Sequence, residues 1–402
     1  MDFDFLAPLI KKNGSKIVLL VMDGLGGIPE EEGGLTELET AATPNLDALA
    51  ARSLCGLQEP IGPGIAPGSG PGHLALFGYD PVRYEVGRGA LSAAGLGFEL
   101  TSHDIAARGN FCSVDEAGLV TDRRAGRIPT AKNAELCELL RSRINLDSAE
   151  VFVLPEKDYR FLLVLRGEGL REELTDTDPQ ALGVPPLPVR ALVPEAESTA
   201  ALVDQFVGRA KEALAAEHPA NMVLLRGFSS KPSWPPFLEV FGLGAAAIAV
   251  YPMYKGVADL VGMEVLEAGD TLEEELATVE RVWGDYDFFY VHVKKIDSAG
   301  EDGDFAGKVA LIEEVDRLLP RLLANKPDVV IVTGDHSTPA AMKLHSWHPV
   351  PVMVHSTVCR PDAVVRFSES ACVTGALGPR MRAVDLMPLA LANAGRVEKF
   401  GA

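Results

Sequence analysis

Short apolar runs that end abruptly in polar residues recur near both ends of the chain. They cover residues 16–22, 245–250, 287–293, 329–332 and 351–354. Such runs are typical of strands buried on both faces, as in a parallel sheet. The stretches 305–323 and 386–394 predict helices, and Thr43 followed by Pro44 predicts the start of another. The pattern therefore predicts an α/β fold with a mostly parallel sheet flanked by helices.

The pattern changes between about residues 95 and 240. Short predicted strands lie there in turn-rich sequence, at residues 108–114, 151–154, 160–165 and 222–226. Residues 198–215 carry apolar side chains at helical spacing. The Pro-rich segments 181–188 and 229–236 are typical of a loop and a hinge. We expect a discontinuous domain of residues 1–95 and 240–402, interrupted by a smaller α+β domain of residues 96–239.

The charge balance narrows the range of partners. Among 402 residues, 37 Lys and Arg oppose 57 Asp and Glu, which gives a formal net charge of −20. Such an acidic surface repels nucleic acids and anionic membranes, so we expect neither as a partner. A small anionic ligand would need local positive charge.

Cysteine usage and the N-terminus indicate the compartment. The five cysteines are an odd number without zinc-ribbon spacing, which favours free thiols in a reducing environment. The first residues do not resemble a signal peptide, and no apolar run approaches the ~18 residues of a membrane helix. We expect a cytoplasmic protein, with its oligomeric state left open, a homo-oligomer included.

Glycines and prolines are concentrated in residues 62–72, directly before His73 and an apolar helical segment. Ser69 lies where this loop meets the helix. A hydroxyl there is close to unpaired backbone N–H groups and the positive end of a helix dipole, which favours an anion. If Ser69 accepts a phosphoryl group, its oxygen must lose a proton, and a metal ion is one way to achieve this. The alternative is an ordinary Gly-rich surface loop, with His73 as a packing residue.

Carboxylates and imidazoles follow the ends of several predicted strands. They are Asp23, Asp297, Glu301, Asp335, His336, His345 and, farther along the same loop, His348. Together with a hydroxyl at one sheet edge, these groups predict a site for two divalent metal ions, which suits phosphoryl transfer. Taken singly, Asp23 fits a helix cap, Glu301 a solvated helix start, and the last two histidines a surface loop.

Basic residues supply the local positive charge that an anionic ligand needs. They are Arg123, Arg124, Arg127, Arg160, Arg226 and Lys255. Arginines clustered near strand ends are suited to bidentate binding of a carboxylate or phosphate. The alternative is an exposed ion-pair network with Asp122, Asp176 and Asp178.

Taken together, the segments that carry these residues resemble the alkaline-phosphatase-like metalloenzyme superfamily. The matching motifs are Asp23-Gly, residues 43–47 and 69–73, Asp297-x-x-Gly-Glu301, Gly334-Asp-His336 and His345-x-x-x-Pro-Val-Pro351. Within it, further runs resemble the archaeal-type cofactor-independent phosphoglycerate mutases, which also occur in bacteria; they are residues 73–81, 87–89, 108–111, 122–127, 176–179 and 251–256. The resemblance spans essentially the whole chain and includes the inserted domain.

The resemblance implies an isomerase that interconverts 3-phosphoglycerate and 2-phosphoglycerate through a phosphoserine at Ser69, without 2,3-bisphosphoglycerate. It implies one metal ion on Asp23, Ser69, Asp335 and His336, and a second on Asp297, His345 and residue 301. The substrate-binding residues it implies are His73, Arg123, Arg124, Arg127, Arg160, Arg226 and Lys255. The inserted arginines would hold the glycerate carboxylate and exclude water, which separates a mutase from a phosphatase.

One position departs from the pattern of the family. Glu301 stands where the wider family usually has histidine, and His348 is near enough in sequence to compensate. Glutamate is a harder ligand, so we expect Mn²⁺ or Mg²⁺, with Zn²⁺ and Co²⁺ as alternatives. The competing functions are a phosphomonoesterase or phosphopentomutase on the same scaffold, and a non-catalytic phosphometabolite-binding protein.

Overall fold

The computed structural model describes residues 3–401, which divide into two compact units. The first unit runs through Glu85 and resumes at Trp234, and the second is Val86–Ser233. Elements are numbered in chain order across both units. Among the described residues, no helix is long and apolar enough to cross a membrane.

An eight-stranded sheet forms the centre of the first unit, in the order β13-β2-β12-β11-β1-β10-β8-β9. Its strands are β1 (Ile17–Met22), β2 (Leu54–Glu59), β8 (Ala245–Ala249), β9 (Glu264–Leu266), β10 (Phe288–Val293), β11 (Val329–Thr333), β12 (Val350–Ser356) and β13 (Gly378–Arg382). Neighbouring strands are parallel except where β12 pairs with β11 and β2. The prediction of a mostly parallel sheet is confirmed.

Helices of the first unit flank this sheet. They are α1 (Phe3–Leu6), α2 (Glu37–Thr40), α3 (Pro44–Ala50), α4 (Ser69–Leu76), α8 (Phe237–Phe241), α9 (Pro252–Leu260), α10 (Leu272–Arg281), α11 (Lys295–Asp302), α12 (Phe305–Leu323), α13 (Glu369–Cys372) and α14 (Leu386–Asn393). Strand β1 is buried along its whole length. Its alternate residues Val18, Leu20 and Met22 belong to the same apolar core as α12, which buries its own apolar stripe there.

The second unit is an antiparallel sheet with helices on both faces. Its strands are β3 (Asp104–Val114), β4 (Val120–Asp122), β5 (Glu150–Pro155), β6 (Arg160–Arg166) and β7 (Met222–Ser229), and its helices are α5 (Arg88–Gly95), α6 (Thr130–Arg143) and α7 (Glu197–Leu214). Neighbouring residues of β6 point to opposite faces of the sheet. Leu163 belongs to an apolar cluster with α6 and α7, and Leu162 belongs to another with α5. This arrangement fits the expected α+β class. Short 3₁₀ turns lie at Ala7–Leu9, Ala125–Arg127, Pro194–Ala196 and Ala383–Asp385.

The unit boundaries differ from those expected from the sequence. Residues 88–95 were expected to precede the boundary, but they form helix α5, which packs on β3 of the second unit. A Cβ at Gly89 would lie 2.1 Å from the carbonyl oxygen of Ala106, so only glycine permits this close approach. The second boundary falls at Ser233, inside the Pro-rich segment 229–236 rather than at residue 239.

Three parallel strands bring polar residues to one edge of the large sheet. Strand β1 lies between β10 and β11, and the register pairs Met22 with Val293 and Val21 with Thr333. The chain segments that follow these strands therefore leave the sheet side by side. Ligand sites of open α/β sheets lie at the carboxyl ends of the strands.

Candidate active site

The segments after β1 and β11 form the first group of candidate ligands, Asp23, Asp335 and His336. All three side chains are fully buried. The Nε2 atom of His336 lies 3.4 Å from Asp23 Oδ1 and 3.2 Å from Asp335 Oδ2. Among the described residues, neither of these carboxylate oxygens has a hydrogen-bond partner. One ligand atom from each residue lies within 4.8 Å of the others, so the group is compact enough for one metal ion.

Ser69 joins this group from the first residue of α4. Its hydroxyl oxygen lies 3.3 Å from His336 Nε2. Helix α4 comes close to the segment after β11, since a Cβ at Gly72 would lie 2.5 Å from the carbonyl oxygen of Asp335. The glycine within the helix thus permits this approach, and Ser69 belongs to a helix rather than to a surface loop.

Hydrogen bonds define which nitrogen of His336 is free. The hydroxyl of Thr338 donates to Asp297 Oδ1 at 2.6 Å, because a carboxylate only accepts. The same hydroxyl therefore accepts from His336 Nδ1–H at 2.9 Å. This assignment leaves the lone pair on Nε2, the nitrogen that faces Asp23, Asp335 and Ser69. Burial holds the pKa of His336 well below its usual value, which keeps the ring neutral and able to bind a metal ion.

A second group contains Asp297, at the start of α11, and His345, in the loop before β12. The carbonyl of Pro67 accepts a hydrogen bond from His345 Nδ1 at 3.0 Å, which directs His345 Nε2 toward the carboxylates of this group. That atom lies 3.6 Å from Asp297 Oδ1 and 3.7 Å from Glu301 Oε1. Glu301 lies near the end of α11, and its side chain is 53% exposed. Asp297, His345 and the shared His336 are also mutually close enough to hold a metal ion.

The pKa values of the two carboxylates in the first group, Asp23 and Asp335, are shifted in opposite directions. Burial, together with the charges of Asp23 and Asp297, raises the pKa of Asp335 well above its usual value. Burial opposes ionisation of Asp23 too, but the hydrogen bond from His292 and the charge of Lys294 outweigh it and lower the pKa of Asp23. The pair therefore favours one proton between two carboxyls, and binding of a cation would displace that proton.

Two further histidines contact residues of the first group. His292 Nε2 lies 3.1 Å from Asp23 Oδ2, and His73 Nδ1 lies 2.9 Å from the carbonyl oxygen of Ser69 and 3.2 Å from Asp335 Oδ2. Burial lowers the pKa of each histidine to about 4. Because His73 is fully buried, its place matches the packing alternative rather than a substrate contact.

The arginines of the second unit form a separate pocket. It has a volume of about 300 Å³ and is lined by Arg88, Arg108, Asn110, Arg123, Arg124, Tyr159, Arg160, Gln180 and Arg226. Burial and the neighbouring Arg226 and Arg108 lower the pKa of Arg88, as expected where positive charges crowd together. The structure thus brings together four of the arginines predicted from the sequence.

Two of these arginines already have carboxylate partners. Arg123 binds the fully buried Asp178 through two hydrogen bonds, at 2.9 and 2.6 Å, and Arg226 lies 3.6 Å from the same carboxylate. Within the part of the chain that the structure describes, Arg88, Arg124 and Arg160 have no ion pair with a carboxylate. The pocket therefore contains both kinds of arginine that the sequence allowed. Arg123 and Arg226 form ion pairs with Asp178, whereas Arg88, Arg124 and Arg160 are available for an anionic ligand.

Three predicted residues lie elsewhere. Arg127 is exposed at the end of the turn Ala125–Arg127 and does not line the arginine pocket. Lys255, on α9, faces Glu267 at 3.7 Å. His348 hydrogen-bonds Ser346 at 3.0 Å and lies outside both candidate metal groups.

Sequence reasoning missed several residues of the site. Lys294 directly follows β10, and its ammonium contacts the carboxylates of both groups, Asp23 and Asp297. The signal was available, since Lys294 holds the same position after its strand as Asp23 does after β1. His292 and Thr338 gave no such signal, because their roles depend on contacts across the sheet.

The donor set fits divalent cations. Two buried carboxylate oxygens lack hydrogen-bond partners within the described chain, and the imidazoles of His336 and His345 direct their Nε2 atoms toward carboxylates. Mixed imidazole and carboxylate ligands suit Mn²⁺, Zn²⁺ and related ions.

Comparisons with known proteins identify the family to which this chain is similar. The family model for 2,3-bisphosphoglycerate-independent phosphoglycerate mutase matches residues 50–221. A probable mutase of this kind from Thermus thermophilus is 54% identical over 404 residues, covering 100% of this chain and 99% of its own. Another, from Thermosipho africanus, is 52% identical over 398 residues, covering 99% of this chain and 98% of its own.

Solved structures share the fold. A Pyrococcus horikoshii protein superimposes with a TM-score of 0.82 at 30% identity, over 97% of this chain and 100% of its own. The cofactor-independent phosphoglycerate mutase of Thermoplasma acidophilum gives 0.74 at 28% identity, over 95% and 100%. The fold is that of an α/β class of enzymes with a large, mostly parallel sheet flanked by helices. Within it, the chain belongs to the 2,3-bisphosphoglycerate-independent phosphoglycerate mutase family, which confirms the resemblance seen in the sequence.

Proposed function

We propose that this protein interconverts 3-phosphoglycerate and 2-phosphoglycerate through a phosphoserine at Ser69, with two divalent metal ions and without 2,3-bisphosphoglycerate. Membership of the family supports the reaction. The observation that carries the residue assignment is the Ser69 hydroxyl, 3.3 Å from His336 Nε2 at the start of α4. A nucleophilic hydroxyl at a helix start, beside unpartnered carboxylate oxygens, is suited to receive a phosphoryl group.

The metal ligands follow from the two groups. Asp23, Ser69, Asp335 and His336 would hold one ion, and Asp297, Glu301 and His345 the other. When bound, these ions supply the positive charge that lowers the pKa of the Ser69 hydroxyl and balances the phosphoryl oxygens. We propose Mn²⁺ or Mg²⁺, because Glu301 adds a hard oxygen ligand beside His345.

The reaction conserves the phosphoryl group. Ser69 Oγ gives up its proton and attacks phosphorus, and the bond to the 3-oxygen of the substrate breaks as that oxygen takes a proton. The bound glycerate then turns, and its 2-hydroxyl attacks the phosphoserine, which restores the Ser69 hydroxyl. A water molecule attacking in place of the glycerate would make the protein a phosphatase.

We assign recognition of the anionic substrate to the arginine pocket. Its free cations Arg124 and Arg160 are suited to a carboxylate, since a guanidinium pairs with it through two parallel hydrogen bonds. Arg123 and Arg226 would shape the pocket through Asp178. Arg127, Lys255 and His73 are not part of this proposal.

The deciding experiment follows both products from 3-phosphoglycerate. The purified chain is loaded with Mn²⁺ or Mg²⁺, and 2-phosphoglycerate and free phosphate are measured together, without added 2,3-bisphosphoglycerate. We expect 2-phosphoglycerate as the main product and its loss in Ser69→Ala. Ser53→Ala, a change at another buried serine, is the matched control. Free phosphate as the main product would instead identify a phosphomonoesterase, and turnover in Ser69→Ala would exclude the phosphoserine.

A further inference from the structure

The first unit contains a second, mostly apolar pocket that the proposed reaction does not use. It lies at the carboxyl ends of the parallel strands β8 and β10 and has a volume of about 150 Å³. Its apolar lining comes from strand ends and two helices, with Val250, Val293, Leu272, Leu311 and Val315. A cavity of this volume accommodates a molecule about the size of benzene.

One buried carboxyl group lines this pocket. Glu275, on α10, is 2% exposed, and its Oε2 atom has no hydrogen-bond partner among the described residues. Burial raises the pKa of Glu275 to about 9, so the carboxyl is protonated at neutral pH. An unpartnered buried polar group destabilises a fold. No hydrogen bond of this atom within the described chain offsets this cost, so a ligand that pairs with the carboxyl would remove it.

The charges around the pocket favour a cationic ligand. Asp270 and Glu314 line it together with Glu275, and the phenol of Tyr251 is also present. Of the two lysines there, Lys294 is already neutralised by contacts with Asp23 and Asp297, and Lys295 remains. Tyr290, whose hydroxyl is buried nearby, does not ionise in this environment, since burial raises its pKa well above its usual value. Asp270 and Glu314 therefore face the one available ammonium, of Lys295, and the protonated Glu275 adds a third carboxyl that can ionise when a cation binds beside it.

We propose that this pocket binds a small cationic molecule, a single ring that carries an amine or amidine group. The ring would pack among Leu272, Leu311 and Val315, and the cationic nitrogen would pair with Glu275. Pairing favours the ionised carboxylate, so Glu275 gives up its proton to solvent when the ligand binds. The inference is independent of the mutase reaction. The pocket nevertheless adjoins the candidate active site, because Lys294 belongs to both.

Benzamidine is the probe, and its neutral isostere benzamide is the matched control ligand. Isothermal titration of the full chain at pH 7, in two buffers of different ionisation enthalpy, measures affinity and proton release together. We expect one benzamidine to bind with release of about one proton per site. Benzamide should bind at least about tenfold more weakly, because it cannot form the ion pair.

Glu275→Gln and Glu275→Leu test the carboxyl directly. Each variant should bind benzamidine at least about tenfold more weakly and without proton release. Thermal unfolding checks the fold, and Glu275→Leu should melt above the unmodified protein because it removes an unpartnered buried group from a helix. Three results would overturn the proposal: no benzamidine binding at about 10 mM, equal binding by either folded variant, or binding without proton release.

Discussion

At the scale of single residues, the hydroxyl of Thr338 sets the chemistry of its neighbours. It donates to Asp297 and accepts from His336, so it connects a carboxylate of one candidate metal group to the imidazole of the other. Groups that orient metal ligands in this way commonly change metal affinity by 10–100-fold. The position of Thr338 itself is fixed by the Lys308 ammonium, which binds its carbonyl oxygen at 2.8 Å.

We expect Thr338→Val to weaken divalent-metal binding by at least about tenfold. Valine keeps the shape of threonine but leaves the His336 Nδ1–H and Asp297 without their partner. The measurement is a Mn²⁺ titration of the metal-free protein by calorimetry, with Thr338→Ser, which keeps the hydroxyl, as the matched control. Equal affinity in the valine and serine variants would show that the hydroxyl does not orient His336.

The arginine pocket offers a second contrast between single residues. Arg124 has no carboxylate partner in the described chain, whereas Arg123 holds the fully buried Asp178. Arg124→Ala should raise the KM for 3-phosphoglycerate by at least about tenfold and leave thermal stability unchanged, because only a ligand contact is lost. Arg123→Ala should lower stability by about 3–5 kcal/mol, because it leaves a buried charge with weaker pairing. Steady-state kinetics and denaturant unfolding separate the two, and equal stability losses would contradict the assignment.

At the scale of elements, a buried ion pair joins α2 to α12. Lys308 is fully buried on α12, and its ammonium lies 3.6 Å from Glu37 Oε1 on α2 and donates to the carbonyl of Gly26 at 3.1 Å. The Glu37 carboxylate also accepts from the backbone N–H of Ala340 at 2.7 Å. These contacts hold the segment after β1 against the segment after β11, the two segments that carry the first group of candidate ligands.

Lys308→Met should reduce the unfolding free energy by about 3–5 kcal/mol, since it leaves the Glu37 charge buried without its cation. The double variant Lys308→Met with Glu37→Gln should recover much of this loss, because no buried charge is left unpaired. On the same helix, Arg321 pairs with Glu280 at a half-exposed position, so Arg321→Met should cost only about 1 kcal/mol or less. Urea unfolding gives all three values, and similar losses for Lys308→Met and Arg321→Met would refute the role of burial.

The elements that the sequence predicted are those whose apolar pattern is uninterrupted. Strands β1, β10 and β11 and helix α12 lie where the pattern placed them, and the candidate ligands that follow those strands were found with them. Helix α2 was not predicted from the sequence, although Thr36 and Glu39 form a capping box at its start. Strand β2 was missed because the polar residue Gln58 interrupts its apolar pattern. Gln58 is nevertheless buried, since its amide donates a hydrogen bond to the Gly334 carbonyl at 2.8 Å. Such roles depend on partners distant in sequence.

At the scale of the whole molecule, the candidate active site concentrates negative charge in a chain whose formal net charge is already −20. Asp23, Asp297 and Asp335 are buried together, and Lys294 bridges two of them. Carboxylates so placed repel one another, and burial and that repulsion hold the pKa of Asp335 high. Cations that bind there should therefore stabilise the folded state of the first unit.

We expect Mn²⁺ to raise the thermal midpoint of the metal-free protein, because an ion that binds only the folded state at about 100 times its Kd adds about 2.7 kcal/mol. Differential scanning calorimetry in a chelator, and then in Mn²⁺, Mg²⁺ or Zn²⁺, measures the shift. Asp335→Asn with His345→Ala should abolish it, whereas His103→Ala, at a half-exposed histidine of the second unit, should not. Midpoints independent of metal would refute both candidate groups.

If Glu301 completes the second group, Glu301→His should shift the order of stabilisation toward Zn²⁺, because imidazole suits zinc better than a carboxylate does.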